Sequence, residues 1–452
     1  MNEKQQEAVL SLKNTLLIAG AGSGKTFTII NKINYLLDNN IYKPDEILII
    51  SFTNESVLDI KKKINNQNLN IKTFHKLGLD LLKDNNIKVA PQNYLSYIID
   101  EYFKSYANDH KKIKQILKRI LIETNYQQLK KLITTFINLY KSNYPSINYL
   151  FNLYQKSHFI TKEYLRIILE IYHLYNIELA SQGYLDFNDM IIQATDKIST
   201  GIIKTKYKFI IIDEFQDTSL IRFNLILSII KQNNAKLFAV GDDYQSIYRF
   251  SGCNLNTFLN LHKLLDNLTI INLDYNYRNN QSLINIANNF IIKNPKQIKK
   301  NTICLKDSFK PIKIIYYRNQ NTIISKIIKN IPTNITILGR NNKDKILFNV
   351  PESPKIRYLT IHSSKGLEDD NIIIINLENK PDSLPSKIKN HKLINLIIEK
   401  DKYPNEEERR LFYVALTRTR NNVYLLVPYN NPSIFIKELI KDYKKILDIK
   451  YL

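Results

Sequence analysis

Short, essentially apolar runs recur along the chain at 15–19, 47–52, 209–212, 237–240, 372–377 and 423–427. They lack the alternation of a strand with one wet face and are too short for buried helices. Such runs predict strands of parallel sheets covered by helices on both faces. The first run passes through a glycine-rich turn into helical spacing over 26–37, so strand, loop and helix follow in the order of a βα unit. Between 83 and 192 the texture changes to long segments of helical period, rich in Tyr, Leu, Ile and Lys and poor in Gly and Pro. That stretch predicts a helical insertion, in which tyrosines such as Tyr94, Tyr97 and Tyr102 either pack at the core or stack on bases. The expected class is α/β.

With 452 residues and 44% hydrophobic positions, the chain has room for two or three domains with cores of their own. The formal charge of +23 suits a partner bearing many phosphates, because neutralising them releases counterions. A coding bias toward Lys, Asn and Ile gives the same sign, so charge alone leaves both explanations open. Cys253 and Cys304 stand far apart without a CxxC or a Cys/His cluster, which argues against a disulfide framework or a zinc site and for a reducing compartment. The N-terminus has no apolar signal core, and no stretch reaches the roughly 18 uncharged apolar residues of a membrane span. A soluble, cytoplasmic protein without membrane contact is expected.

The turn Ala19-Gly20-Ala21-Gly22-Ser23-Gly24-Lys25-Thr26 sets a small residue, four spacers and Gly-Lys-Thr between a strand and a helix. Glycines let backbone N–H groups close around phosphate oxygens, Lys25 reaches the outer phosphates, and Thr26 offers a hydroxyl to Mg²⁺. ATP and Mg²⁺ are therefore the expected ligands. The run 209–212 ends at Asp213-Glu214, at the strand edge where open α/β sheets bind ligands. There Asp213 would hold Mg²⁺ and Glu214 would orient and deprotonate the attacking water. After the run 237–240, Gln245 is placed to sense a γ-phosphate, while Tyr248 and Phe250 offer aromatic faces to bases.

Together these motifs resemble a UvrD/Rep-type superfamily 1 helicase, in order and over almost the whole chain. Asn2-Glu3-Lys4-Gln5-Gln6-Glu7-Ala8-Val9 resembles that family's glutamine motif, which implies that Gln5 reads adenine. Ser51-Phe52-Thr53-Asn54 and Lys72-Thr73-Phe74-His75 resemble its two motifs that grip single-stranded DNA, implying contacts from Phe52, Thr53, Asn54, Thr73 and His75. Asp213-Glu214-Phe215-Gln216-Asp217 and the stretch 241–252 resemble its metal and coupling motifs. Tyr275-Asn276-Tyr277-Arg278 resembles the motif that stacks Tyr277 on adenine and extends Arg278 to the γ-phosphate. Thr360-Ile361-His362-Ser363-Ser364-Lys365-Gly366-Leu367-Glu368 and the stretch 406–418 resemble the last two motifs. They imply Glu368 at the nucleotide, His362 at DNA and Arg418 as a second arginine finger beside Arg278.

The resemblance implies two RecA-like P-loop motor domains, divided as 1–82 and 193–268 for the first, 83–192 for its helical 1B insertion and 269–452 for the second. Phe27 replaces an expected Arg, so a contact to the base is either replaced by stacking or lost. Phe250 and Ser251 replace Trp and Arg, and Asp369 replaces Phe. The interval from Arg278 to Thr360 is too short for the family's usual 2B subdomain, and the short stretch after Arg420 leaves no room for a fused nuclease domain. The expected activity is ATP-dependent 3′ to 5′ movement on single-stranded DNA and its junctions, in repair, recombination or replication, with an accessory protein assisting unwinding. The alternatives are an ATP-regulated single-strand binding protein and an RNA helicase.

Overall fold

Two six-stranded sheets, each parallel throughout, organise the chain. The computed structural model describes residues 1–64, 68–83, 87–106, 125–144, 146–329, 331 and 333–452, the side chains of 105, 106 and 321 excepted. In the first sheet the strands lie in the order Asn70–Lys72, Ile47–Ile50, Phe209–Ile212, Lys236–Gly241, Thr15–Ala19 and Thr269–Leu273. Its interior shows why the sequence runs do not alternate. Leu16, Ile18, Leu48, Ile50, Ile210 and Ile212 face one helical layer, whereas Leu17, Ala19, Ile47, Ile49, Phe209 and Ile211 face the other. Both faces are dry, as a parallel sheet between helices requires.

The second sheet has the order Ile356–Thr360, Ile335–Gly339, Asp369–Ile374, Thr419–Pro428, Ile312–Tyr317 and Asp448–Tyr451. Helices Gln281–Ile291, Glu406–Leu416 and Ile434–Tyr443 cover one face, and Gln320–Ile328 lies on the other. Tyr244 and Ile247, from the turn that leaves the first sheet, are fully buried in this second core. The architecture is thus α/β, with two RecA-like domains. No helix among the described residues is long and apolar enough to cross a membrane.

The helices Tyr94–Glu101, Tyr126–Asn143, Ile147–Lys156 and Phe159–Gln182 build a third core around Ile99, Phe136, Leu165 and Ile171. Part of the predicted insertion, 84–86, 107–124 and 145, lies outside the described residues. Two predicted boundaries shift. Helix Phe187–Ser199 packs Met190, Ile191 and Ile198 into the first sheet's core, and the helical region is pinched off before it by the pair Lys88–Val89 and Tyr184–Leu185. Thr269–Leu273, assigned by sequence to the second domain, pairs with Thr15–Ala19 and so completes the first sheet.

The N-terminal helix Glu3–Leu10 is tied to the helix Lys25–Asp38 by Lys32, whose fully buried ammonium donates to the carbonyl oxygens of Val9, at 2.8 Å, and Ser11. Rings of Phe209 and Phe238 lie 5.2 and 5.6 Å from the charge. Burial pushes the Lys32 pKa down to about 8, against about 10.4 in an unfolded chain. Between these values the unfolded state binds more protons, so this group makes stability rise with pH. In urea unfolding, the wild type should gain about 1 to 2 kcal/mol relative to Lys32→Met between about pH 7.5 and 9.5. Parallel pH profiles would contradict it.

Candidate active site and nucleic-acid interface

The strand Thr15–Ala19 enters the helix Lys25–Asp38 through a loop in which Gly22 and Gly24 have φ of +70° and +84°. A Cβ on Gly22 would stand 2.7 Å from Cβ of Arg278 and 2.9 Å from Oδ1 of Asn276. Glycine is therefore what lets the strand Tyr275–Asn280 close on the loop. The Tyr277 N–H donates to Gly22 O at 2.8 Å and Asn276 Nδ2 to Ala21 O at 2.7 Å. Gln5 Nε2 donates to Ser23 O at 3.3 Å, and Asn2 Nδ2 to the Tyr277 hydroxyl at 3.1 Å. Gly24 caps the helix without a side chain, so the first-turn N–H groups keep their affinity for an anion.

Lys25 Nζ lies 2.7 Å from Glu214 Oε1. Glu214 itself takes a left-handed backbone with φ of 51° and also accepts from Gln216 Nε2. Burial opposes its charge, but Lys25 and Lys365 hold the Glu214 carboxyl well below the usual range. Burial, and then the Glu214 charge, push Asp213 up. Gln245 is buried with its Oε1 accepting from Arg418 Nη2 at 2.9 Å and its Nε2 donating to Asp242 at 2.6 Å. The other Arg418 bonds go to the carbonyl oxygens of Val414 and Leu367, and no carboxylate among the described residues pairs with it. Arg278 is bound to Glu368 and to Thr417 O, and Glu368 also accepts from Arg420 at 2.8 Å.

These groups enclose a cavity of about 390 Å³, lined by all of 20–27 together with Glu214, Gln245, Tyr277, Arg278, Lys306, Gly366, Glu368, Arg418 and Arg420. Its donor set fits a triphosphate: backbone N–H groups at a helix start, one lysine from the loop, Arg278 from the strand Tyr275–Asn280, and Arg418 and Arg420 from the second sheet's side. Tyr277 and Phe27, 42% and 49% exposed, stand at its wall with aromatic faces available to a base. For Mg²⁺, the Thr26 hydroxyl lines the cavity and Asp213 follows the strand Phe209–Ile212 directly; these two oxygen donors would hold the ion, with phosphate oxygens and water completing its shell. Ala19 ends the strand beneath the loop and shapes it without facing the cavity.

A second constellation begins a few residues beyond Gln245. Phe52 and Tyr248 stack at 5.5 Å with 13° between planes, Phe250 and His362 meet edge to face at 5.5 Å, and the Tyr248 hydroxyl donates to His362 O at 2.9 Å. Phe250 is 59% exposed. His75 stands apart from this cluster, stacked on Phe187 at 4.5 Å, and is joined to it by Arg222, whose guanidinium lies over Phe52 and 3.4 Å from His75 Nε2. Burial pushes both His75 and His362 down to about 4, so near neutral pH they offer stacking and hydrogen bonds, not charge. Thr53 and Thr73 are the N-caps of the helices Asn54–Lys63 and Phe74–Leu81, and their hydroxyls accept from Ser56 and Lys76 N–H. Asn54 is exposed at the start of the first of these helices.

Sequence reasoning passed over Lys365, Asp217 and Arg222. Lys365, only 7% exposed, reaches from the second sheet to Asp217, to Gln245 O at 2.7 Å and to within 3.7 Å of Glu214. Its signals were its place inside the motif 360–368 and in a polar turn straight after a strand. Arg222 was signalled only as a cation in the apolar first turn of the helix Leu220–Asn233. Arg409 and Arg410 lie buried: Arg410 pairs with Glu406 at 3.2 Å and Arg409 with Glu438 at 2.7 Å, so neither faces solvent on the helix.

Residues 1–266 match the sequence family described as the UvrD/REP helicase N-terminal domain, and residues 333–429 the UvrD-like helicase C-terminal domain. DNA helicase IV of Escherichia coli (strain K12) is 27% identical, over 98% of this chain and 70% of its own length. The ATP-dependent DNA helicase Rep of Buchnera aphidicola subsp. Baizongia pistaciae is 32% identical over 71% of this chain and 47% of its own length. The Escherichia coli Rep helicase is 29% identical over 66% and 44%. The chain thus spans about half the length of the Rep relatives it matches.

Lys365→Met leaves Asp217 buried without its cation, and breaking a buried pair in this way costs about 3–5 kcal/mol. The urea midpoint should fall accordingly and recover in part when Asp217→Asn is added. An unchanged midpoint in the single variant would show that the pair carries no such role.

Proposed function

We propose that this chain, which belongs to the UvrD/REP helicase family, is an ATP-dependent translocase and helicase on single-stranded DNA. One observation carries the reading: the stretch 241–252 belongs to both constellations. Gln245 lines the nucleotide cavity, while Tyr248 and Phe250, next along the chain, form the aromatic cluster. A change of charge at one is transmitted to the other through a few covalent bonds. Stacking on such aromatics is worth about 1 to 3 kcal/mol per base and tolerates any sequence, as a motor on arbitrary DNA requires.

In this reading Gln5 and Tyr277 hold the adenine, Lys25, Arg278 and Arg418 neutralise the outer phosphates, and Glu214 orients and deprotonates the attacking water. Thr26 and Asp213 would hold Mg²⁺, which would supply further neutralisation of phosphate oxygens. Phe52, Thr53, Asn54, Thr73, His75, Tyr248, Phe250 and His362 mark the DNA path. The motor domains divide near residue 273, and the first carries the helical insertion between 88 and 185. Between Arg278 and Thr360 the described elements, from the helix Gln281–Ile291 to the strand Ile356–Thr360, belong largely to the second motor domain, which supports the absence of a 2B subdomain. Translocation is then the intrinsic activity, of 3′ to 5′ polarity, and an accessory protein assists strand separation in repair, recombination or replication.

Steady-state ATP turnover should rise at least tenfold with single-stranded DNA, more than with RNA, and fall by roughly a hundredfold or more in Lys25→Ala and Glu214→Gln. Turnover indifferent to DNA would leave an ATP-regulated binding protein, and preference for RNA an RNA helicase. Given ATP and tailed duplexes, strand displacement should require a 3′ tail. Displacement from 5′ tails alone would overturn the polarity.

A further inference from the structure

We propose that the arch at 386–392 is a second nucleic-acid contact, which grips the phosphates of single-stranded DNA through Lys387 and Lys389 and sets Ile388 between them against sugar and base. The proposal rests on the translocase reading and adds a binding element that none of the helicase motifs contains.

The arch is held at both ends. At its start Leu384 is fully buried in the second core, the Ser386 N–H donates to Glu408 Oε2 at 2.9 Å and the Lys387 N–H to Pro381 O at 2.8 Å. At its far end the chain crosses to the helical region. Leu393, Ile394 and Ile397 are buried in that core, the Tyr149 hydroxyl donates to Leu396 O at 3.3 Å, and the rings of Tyr164 and His391 lie 5.2 Å apart. Residues 387–390 between these anchors are all exposed, Ile388 at 68%. They share a groove of about 1050 Å³ with Phe250, Thr360 and His362, so the arch and the aromatic cluster border one space.

Charge identifies the occupant. Each carboxylate of this groove already has a cationic partner: Glu407 and Asp401 share Arg249, Glu408 pairs with Arg340 at 2.8 Å, and Glu399 with Lys296 at 2.8 Å. Lys387 and Lys389 form no ion pair among the described residues. Two cations without carboxylate partners among the described residues, flanking an exposed apolar side chain and sharing a groove with the rings of Phe250 and His362, suit a polymer that alternates phosphates with flat apolar bases. A purely acidic peptide would satisfy the lysines and leave Phe250 unused.

The full-length chain is tested with fluorescent oligothymidylate at several salt concentrations. For Lys387→Ala/Lys389→Ala, affinity should fall on the order of tenfold, and the slope of log K against log salt should flatten by about 1.4, the value for two phosphate contacts on a single strand. Turnover without DNA should be unchanged, and the double Arg variant should restore both affinity and slope. Wild-type affinity and slope in the double Ala variant, alongside weakened binding in Phe250→Ala, would overturn the arch and leave the translocase reading standing. If the wild type neither binds the oligonucleotide nor responds to it in turnover, that reading falls and takes the arch with it.

Discussion

Everything in the nucleotide site depends on cations that cross from one sheet to the other. Lys365 reaches Asp217 and Gln245 O, Arg418 reaches the Gln245 amide, and Arg278, from the strand that follows the first sheet, is held by Glu368. Each charge leaves water only when the sheets are together, and each then sits where polarity is low and attraction strong. The side chains that would catalyse hydrolysis are therefore also those that hold the cleft closed. Arg418 is telling, because its bonds are to neutral acceptors, whereas a phosphate would complete its electrostatics.

The turn after the strand Lys236–Gly241 translates that charge balance into geometry. Asp242 and Asp243 are fully buried against Lys300, Tyr244 lies in the second core with its hydroxyl donating to Ile298 O at 2.6 Å, and Gln245 faces the cavity. Tyr248 then stacks on Phe52 of the first domain while its hydroxyl engages His362 of the second. A shift of one sheet relative to the other must change the spacing of these rings. In the proposed translocase, cleft closure and base stacking would be two views of one displacement.

Much of this was legible in the sequence where a motif occupies one turn at a strand's carboxyl edge. The loop at 19–26, Asp213-Glu214 and the stretch 241–252 all sit at such edges, and the runs that predicted strands were those dry on both faces. The strand Thr269–Leu273 was misplaced because it is an edge strand with partly exposed positions, so its pattern lacks the continuous apolar run. The helix Phe187–Ser199 has the same period as the insertion before it, and periodicity does not say which core an apolar stripe enters. Lys365 and Arg222 were missed for a further reason. Their partners lie far away in sequence and are joined to them only by the closing of sheets and helices.

In the proposed motor the nucleotide binds to one domain and reacts only with a cation from the other. This is tested most directly by measuring equilibrium ATP binding and single-turnover hydrolysis side by side in Arg418→Ala. Binding to the loop at 19–26 should stay within a few-fold of wild type, while hydrolysis in the presence of single-stranded DNA falls by roughly 10³-fold or more. Hydrolysis that survives the substitution, or a loss of binding as large as the loss of rate, would contradict the account.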